Sequence, residues 1–83
     1  MLSAEQIRAA RAILRMEQKE LAERSGVSLP SIKRLEQMSG DLTATRVSTV
    51  EAIRVTLEAA GVQFIPENGG GAGVRLAKPK AQS

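Results

Sequence analysis

The stretch QKELAERSGVSLPSIKRLEQ, residues 18–37, decides the fold. It reads as two short helices joined by a tight turn. Leu21 and Ala22 make an apolar step on the first helix. Ile32 and Leu35, three apart, make one on the second. Between them stands Ser25-Gly26-Val27-Ser28. Gly26 is suited to stop a helix, because a sharp turn often requires a positive φ, which glycine adopts without steric penalty. Ser28 is suited to start the next one, since its hydroxyl can accept from the free amides of the first turn. Pro30 falls in that first turn, where a missing N–H costs nothing.

If Ile32 and Leu35 face inward, then Leu29, Pro30, Lys33, Arg34 and Gln37 face outward. Residues 30, 33, 34 and 37 follow the i, i+3, i+4, i+7 rule and form one stripe. Lys, Arg and Gln on such a stripe are the residue types that base-edge readout needs. Arginine and lysine donate to the O6 and N7 acceptors of guanine, and glutamine pairs with adenine. The apolar Leu29-Pro30 tip has the chemistry to pack on a thymine methyl. A plain solvated face is the alternative for the same stripe.

The stretch resembles the helix-turn-helix of the lambda-repressor-like (Cro/XRE) family. The resemblance rests on Gln18 opening the first helix, Ala22, Gly26, and the Ile32/Leu35 pair, and extends in weaker form over residues 4–61. It implies that the second helix lies in the DNA major groove. It implies base contacts around Pro30, Lys33 and Arg34, with Leu29 and Gln37 beside them. It places Ser28 and Ser31 next to phosphates, and makes Arg11, Gln18 and Arg46 phosphate contacts. Two positions depart from the family pattern. Glu17 stands where Ser or Thr usually caps the helix, and Leu29-Pro30 stands where polar residues are common.

Upstream, Ser3-Ala4-Glu5-Gln6 has the form of a capping box. Ile7, Ala10 and Leu14 recur at helical spacing, which predicts a helix over residues 4–14. Its other face carries Arg8, Arg11 and Arg15, read either as solvated cations or as phosphate partners. Glu36 reads as structural, paired with a nearby arginine. Downstream, Met38-Ser39-Gly40-Asp41 is a turn cluster, and Leu42 returns to the core. Residues 43–47 fit either a helical turn or a loop. Ser48-Thr49-Val50-Glu51 reads as a second capping box, opening a helix over residues 49–60 that stops at Gly61.

Val62-Gln63-Phe64-Ile65 changes the period to that of a strand, and Pro66 ends it. Val74-Arg75-Leu76-Ala77 is a second such run across a glycine-rich loop. An isolated two-stranded hairpin is marginal in water. It needs a helix to lean on or strands from a second copy. The resemblance to small helical DNA-binding regulators with a strand after the last helix implies the second, with Val62, Phe64 and Ile65 as the expected dimer interface. Residues 78–83 read as a disordered basic tail.

Composition sets the limits. Eighty-three residues, 42% hydrophobic and 25% charged, allow one small globular domain. The net charge is +3, of which residues 1–61 carry +1 (nine basic, eight acidic) and residues 62–83 carry +2 (three basic, one acidic). Phosphate attraction must therefore come from local arrangement. Without cysteine or histidine there is no disulfide and no conventional metal site, and Glu17, Glu20 and Glu23 read as a solvated face. No apolar run approaches the length of a membrane span. No basic segment precedes an apolar core as in a signal peptide, so a cytoplasmic location is expected. The glycine loop lacks the Gly-Lys-Ser/Thr ending of a phosphate loop. A nucleophilic serine would have only lysines and glutamates to activate it. The lone aromatic, Phe64, argues against single-strand binding by base stacking.

The resulting expectation is an all-α fold of four helices with a C-terminal β-strand or hairpin appendage. Residues 1–61 form the helix-turn-helix domain, 62–77 the hairpin and 78–83 the tail. The expected function is sequence-specific double-stranded DNA binding by a homodimeric transcriptional repressor on a two-fold operator. No enzymatic activity, cofactor, metal, membrane or small-molecule ligand is expected. The alternative is a protein-interaction module such as a small antitoxin or a coactivator-like adaptor.

Overall fold

The computed structural model describes residues 2–77. Four helices come first: α1 (Ala4–Leu14), α2 (Gln18–Ser25), α3 (Leu29–Glu36) and α4 (Val47–Ala60). Two strands follow, β1 (Val62–Ile65) and β2 (Gly73–Leu76), paired antiparallel. The expected fold class is the observed one. The tail expected over residues 78–83 lies outside the described residues.

Helix starts follow from local chemistry where a side chain can cap. Ser3 accepts from the Gln6 amide while Gln6 Oε1 accepts from the Ser3 amide, the full capping box. Ser28 caps α3, and Pro30 sits in its first turn. Glu17 precedes α2 without a side-chain cap. Gly26 ends α2 at φ +76°, a left-handed conformation that disfavours any residue with a Cβ.

The start of α4 corrects the sequence reading. The box expected at Ser48–Glu51 does not form. The helix begins at Val47, with Arg46 at the N-cap and no side-chain cap. Glu51 pairs with Arg54 instead, one turn further along. The preceding loop is pinned to the N-terminus of the chain, which sets where α4 can begin. The Ala4 amide donates to the Gly40 carbonyl at 3.0 Å, the Leu42 amide donates to the Leu2 carbonyl at 3.1 Å, and Ser3 bridges Asp41.

Ile7, Leu21, Ile32, Leu42, Ile53 and Leu57 are fully buried at the centre. Truncating one of these, for example Ile32→Ala, costs about 2–5 kcal/mol by lost burial and the cavity left behind. Ala10 and Ala22 are small enough for the helices to pack closely around them, and both are buried. The hairpin joins the same core. Val62 is 2% exposed, and Phe64 and Val74 pack against the buried cluster. Val62 is thus a core residue of its own chain, which corrects its assignment to a dimer interface. Phe64 and Ile65 are half-buried.

Gln6 fastens the hairpin to α1. Its Nε2 donates to the Gly73 carbonyl at 2.9 Å and the Ile65 carbonyl at 3.3 Å, on the last pair of the ladder. Its Oε1 is already used by the capping box, so both ends of this buried amide are satisfied.

Candidate nucleic-acid interface

Four of the five residues expected to read bases lie on the exposed side of α3. Pro30, Lys33, Arg34 and Gln37 are exposed. Leu29 departs from expectation: it is half-buried and packs against the core, leaving Pro30 as the apolar tip. At the start of α3, Ser28 Oγ accepts from the Ser31 amide at 3.3 Å and donates to Ser31 Oγ at 2.8 Å. The Ser31 hydroxyl proton remains available to an acceptor.

A cleft of about 490 Å3 opens between α3 and the start of α4. Ser31 and Arg34 line one side, and Thr45, Arg46 and Thr49 the other, over Leu35 and Met38. No carboxylate lines it. It therefore brings Ser31 and Arg34 of α3 together with Arg46 at the start of α4, residues that the sequence reading nominated from two separate segments.

The cations divide into two groups. Arg8, Arg11, Arg24 and Arg54 form ion pairs within the chain. Among the described residues, Lys33, Arg34 and Arg46 form none. Arg15, Lys19 and Arg75 form none either, but Lys33, Arg34 and Arg46 are the ones gathered on α3 and at the start of α4, where base contacts (Lys33, Arg34) and a phosphate contact (Arg46) were expected.

Arg11, the residue of α1 expected at a phosphate, belongs to the first group. Its Nε and Nη2 each donate to a Glu36 carboxylate oxygen at 2.6 Å, and Nη1 donates to the Met16 carbonyl at 2.9 Å. The hydrogen bond to Glu36 holds the guanidinium pKa above its ordinary value, against the opposing effect of burial. Gln18 Nε2 donates to the same carboxylate at 3.0 Å, so this side chain also points inward. What Gln18 offers outward is its main-chain N–H at the first position of α2, where the helix supplies no acceptor.

Glu36 is therefore the joint of the three helices, buried and held by Arg11 and Gln18. Arg8 completes the clamp. Its Nη1 donates to the Glu36 and Met38 carbonyls at the end of α3, which have no acceptor role within the helix. The sequence showed Glu36 as a structural partner for an arginine. The double role of Gln18 and the carbonyl cap by Arg8 carry no local signature.

Among the described residues no helix is long and apolar enough to cross a membrane. No curated protein sequence matches the chain. A helix-turn-helix family model matches residues 7–53, from the first turn of α1 through α2 and α3 into α4. With that span and this geometry, the chain belongs to the lambda-repressor-like, Cro/C1-type helix-turn-helix family of DNA-binding regulators.

Proposed function

We propose that the protein is a sequence-specific transcriptional regulator of double-stranded DNA, a repressor that acts as a homodimer on a two-fold operator. The observation that carries this reading is the cluster of cations on α3 and beside it. Lys33 and Arg34 on α3 and Arg46 across the adjoining cleft have no ion-pair partner among the described residues, and no carboxylate lines that cleft. Lys33, Arg34 and Gln37, with Pro30 at the tip, read base edges from the major groove. Ser28, Ser31, Arg46 and the Gln18 amide hold the backbone on either side. Occlusion of a promoter is the mechanism that requires nothing beyond binding. The protein acts in the cytoplasm, without catalysis and without a small-molecule effector.

Selection of bound sequences from a random double-stranded library, at two salt concentrations, tests this. The expected result is a two-fold motif with half-sites about one helical turn apart. Recovery of no motif, with weak binding that vanishes as salt rises, would overturn specific readout. The exposed Pro30 tip and the near-neutral helical region would then favour the second reading, a helix-turn-helix module that docks on a protein.

A further inference from the structure

The loop between the two strands, residues 66–72, carries the one asparagine of the chain, Asn68, followed by Gly69. Both are exposed. The Asn68 amide donates to the Gly70 carbonyl at 3.3 Å, which folds the backbone around Gly69. Gly69 has φ +80°, a conformation that residues with a Cβ rarely adopt. Apart from its chain neighbours, nothing lies within 4 Å of where a Cβ on Gly69 would stand. Among the described residues, nothing accepts from the Gly69 N–H and nothing bonds to the Asn68 carboxamide.

Other carboxamides of the chain are held. Gln6 is buried and bonded at both ends, Gln18 donates to Glu36, and Gln63 accepts from Arg75. Asn68 also differs in reach. Its Cγ can close a five-membered ring with the next main-chain nitrogen, whereas a glutamine needs a six-membered one. That nitrogen belongs to glycine, which puts no side chain in the path of approach. An electrophilic carbonyl and a nucleophilic amide are thus adjacent in the chain, both open to water.

We propose that Asn68 is a self-modifying site, which the Asn68-Gly69 step converts to isoaspartate and aspartate with water as the only co-reactant. Hydroxide takes the Gly69 amide proton. The nitrogen attacks Asn68 Cγ and a C–N bond forms. The side-chain nitrogen takes a proton from water and leaves as ammonia, regenerating hydroxide. Water then opens the cyclic imide. Cleavage of the new bond to Cγ gives aspartate, and cleavage of the original peptide bond gives isoaspartate, whose main chain runs through Cβ and Cγ. Nothing is oxidised or reduced. The change falls outside the ladder, beyond its last pair, Ile65 and Gly73, which Gln6 holds. The glycines that follow can absorb the added methylene. The new carboxylate stands beside Glu67 and takes one unit from the net charge of +3. The modified chain therefore keeps its fold, and it presents a carboxylate of the kind that isoaspartate-specific methyltransferases esterify. None of this depends on the DNA reading.

Ageing the full chain at neutral and at mildly alkaline pH tests the site. Peptide mapping by mass locates the exchange of NH2 for OH, and enzymatic methylation with labelled S-adenosylmethionine counts isoaspartate. The wild type should change at Asn68 before any glutamine does, faster at the higher pH, with more isoaspartate than aspartate. Asn68→Gln forces the larger ring, and Gly69→Ala puts a Cβ beside the nucleophile. Each should slow conversion at least about tenfold. Helix content of the aged wild type should be unchanged. A folded chain whose Asn68 stays intact while a free peptide of residues 64–73 converts overturns the proposal, because the loop then withholds the geometry. Aspartate without isoaspartate overturns the cyclic route, as does a Gly69→Ala chain that converts at the wild-type rate. Should either variant fail to fold, the wild-type time course, its pH dependence and its isoaspartate yield decide.

Discussion

The Arg11 guanidinium grips the Glu36 carboxylate through two hydrogen bonds of 2.6 Å, tying α1 to α3. The Glu36 side chain is 4% exposed and that of Arg11 20%. Removing one partner strands a charge in a largely dry site. Glu36→Ala should therefore cost about 3–5 kcal/mol in urea unfolding. Glu36→Gln, which keeps an acceptor for Arg11, should cost less. Equal stability of Glu36→Ala and wild type would show the pair to be dispensable.

Arg34 and Arg46 line one cleft and should give different binding phenotypes. Arg34→Ala should lose about 1–3 kcal/mol on the selected site and relax preference at one base position. Arg46→Ala should weaken all sequences alike and reduce the salt slope of binding by about 1. Titrations on cognate and scrambled duplexes at several salt concentrations separate the two outcomes.

Two left-handed positions predict stability changes of opposite sign. Gly26 has φ +76°, and a Cβ there would meet nothing within 4 Å. Gly26→Ala should thus cost about 1–2 kcal/mol from backbone strain alone. Arg15 ends α1 at φ +54° with its side chain exposed. Arg15→Gly should relieve that strain and raise stability by up to about 1 kcal/mol. Thermal or urea melts of both variants check the signs.

Acid should weaken the fold partly through Glu5. Hydrogen bonds from main-chain amides, its own and that of Gly40, hold its carboxyl pKa below the ordinary glutamate value. Hydrogen bonding by Arg54 does the same for Glu51. For a pKa lowered by folding, the stabilisation is complete above the unfolded pKa, roughly 4.3 for glutamate, and is lost as pH falls through the lower folded value. Glu5→Gln should flatten the acid limb of the melting profile below about pH 4.5 and leave its slope near neutrality unchanged.

Val62 makes the hairpin part of the domain's stability. Val62→Ala should lower stability by about 1–3 kcal/mol in a monomeric sample. Truncation after Gly61 should lower the melting temperature as well as any self-association. A truncated chain that melts like the full one would show that Val62, Phe64 and Val74 contribute nothing to the core.

Local signals explain what the sequence revealed. The Ser3/Gln6 box, Gly26 and Ser28 act on backbone groups within three residues, and each sits where expected. The start of α4 was obscured because two partners compete for Glu51: a capping amide behind it and Arg54 ahead. Arg54 wins, and the pinned loop sets the boundary at Val47. Arg11 and Arg34 look alike in the chain. What distinguishes them is Glu36, 25 residues beyond Arg11, and no spacing rule reaches that far. Leu29 and Val62 were misplaced for a related reason. An apolar residue at the start of a helix or strand has no periodicity behind it to tell core from surface.

The Gln6 amide has a consequence for how the chain is made. Its acceptors, Ile65 and Gly73, lie 59 and 67 residues further along. On a ribosome, α1 and the helix-turn-helix emerge before the strands that cover Gln6 and seat Val62. Until then the nascent chain holds a buried-type amide open to water and a core missing its last wall. The hairpin that covers Gln6 and seats Val62 thus joins the core last, after α1, α2, α3 and α4.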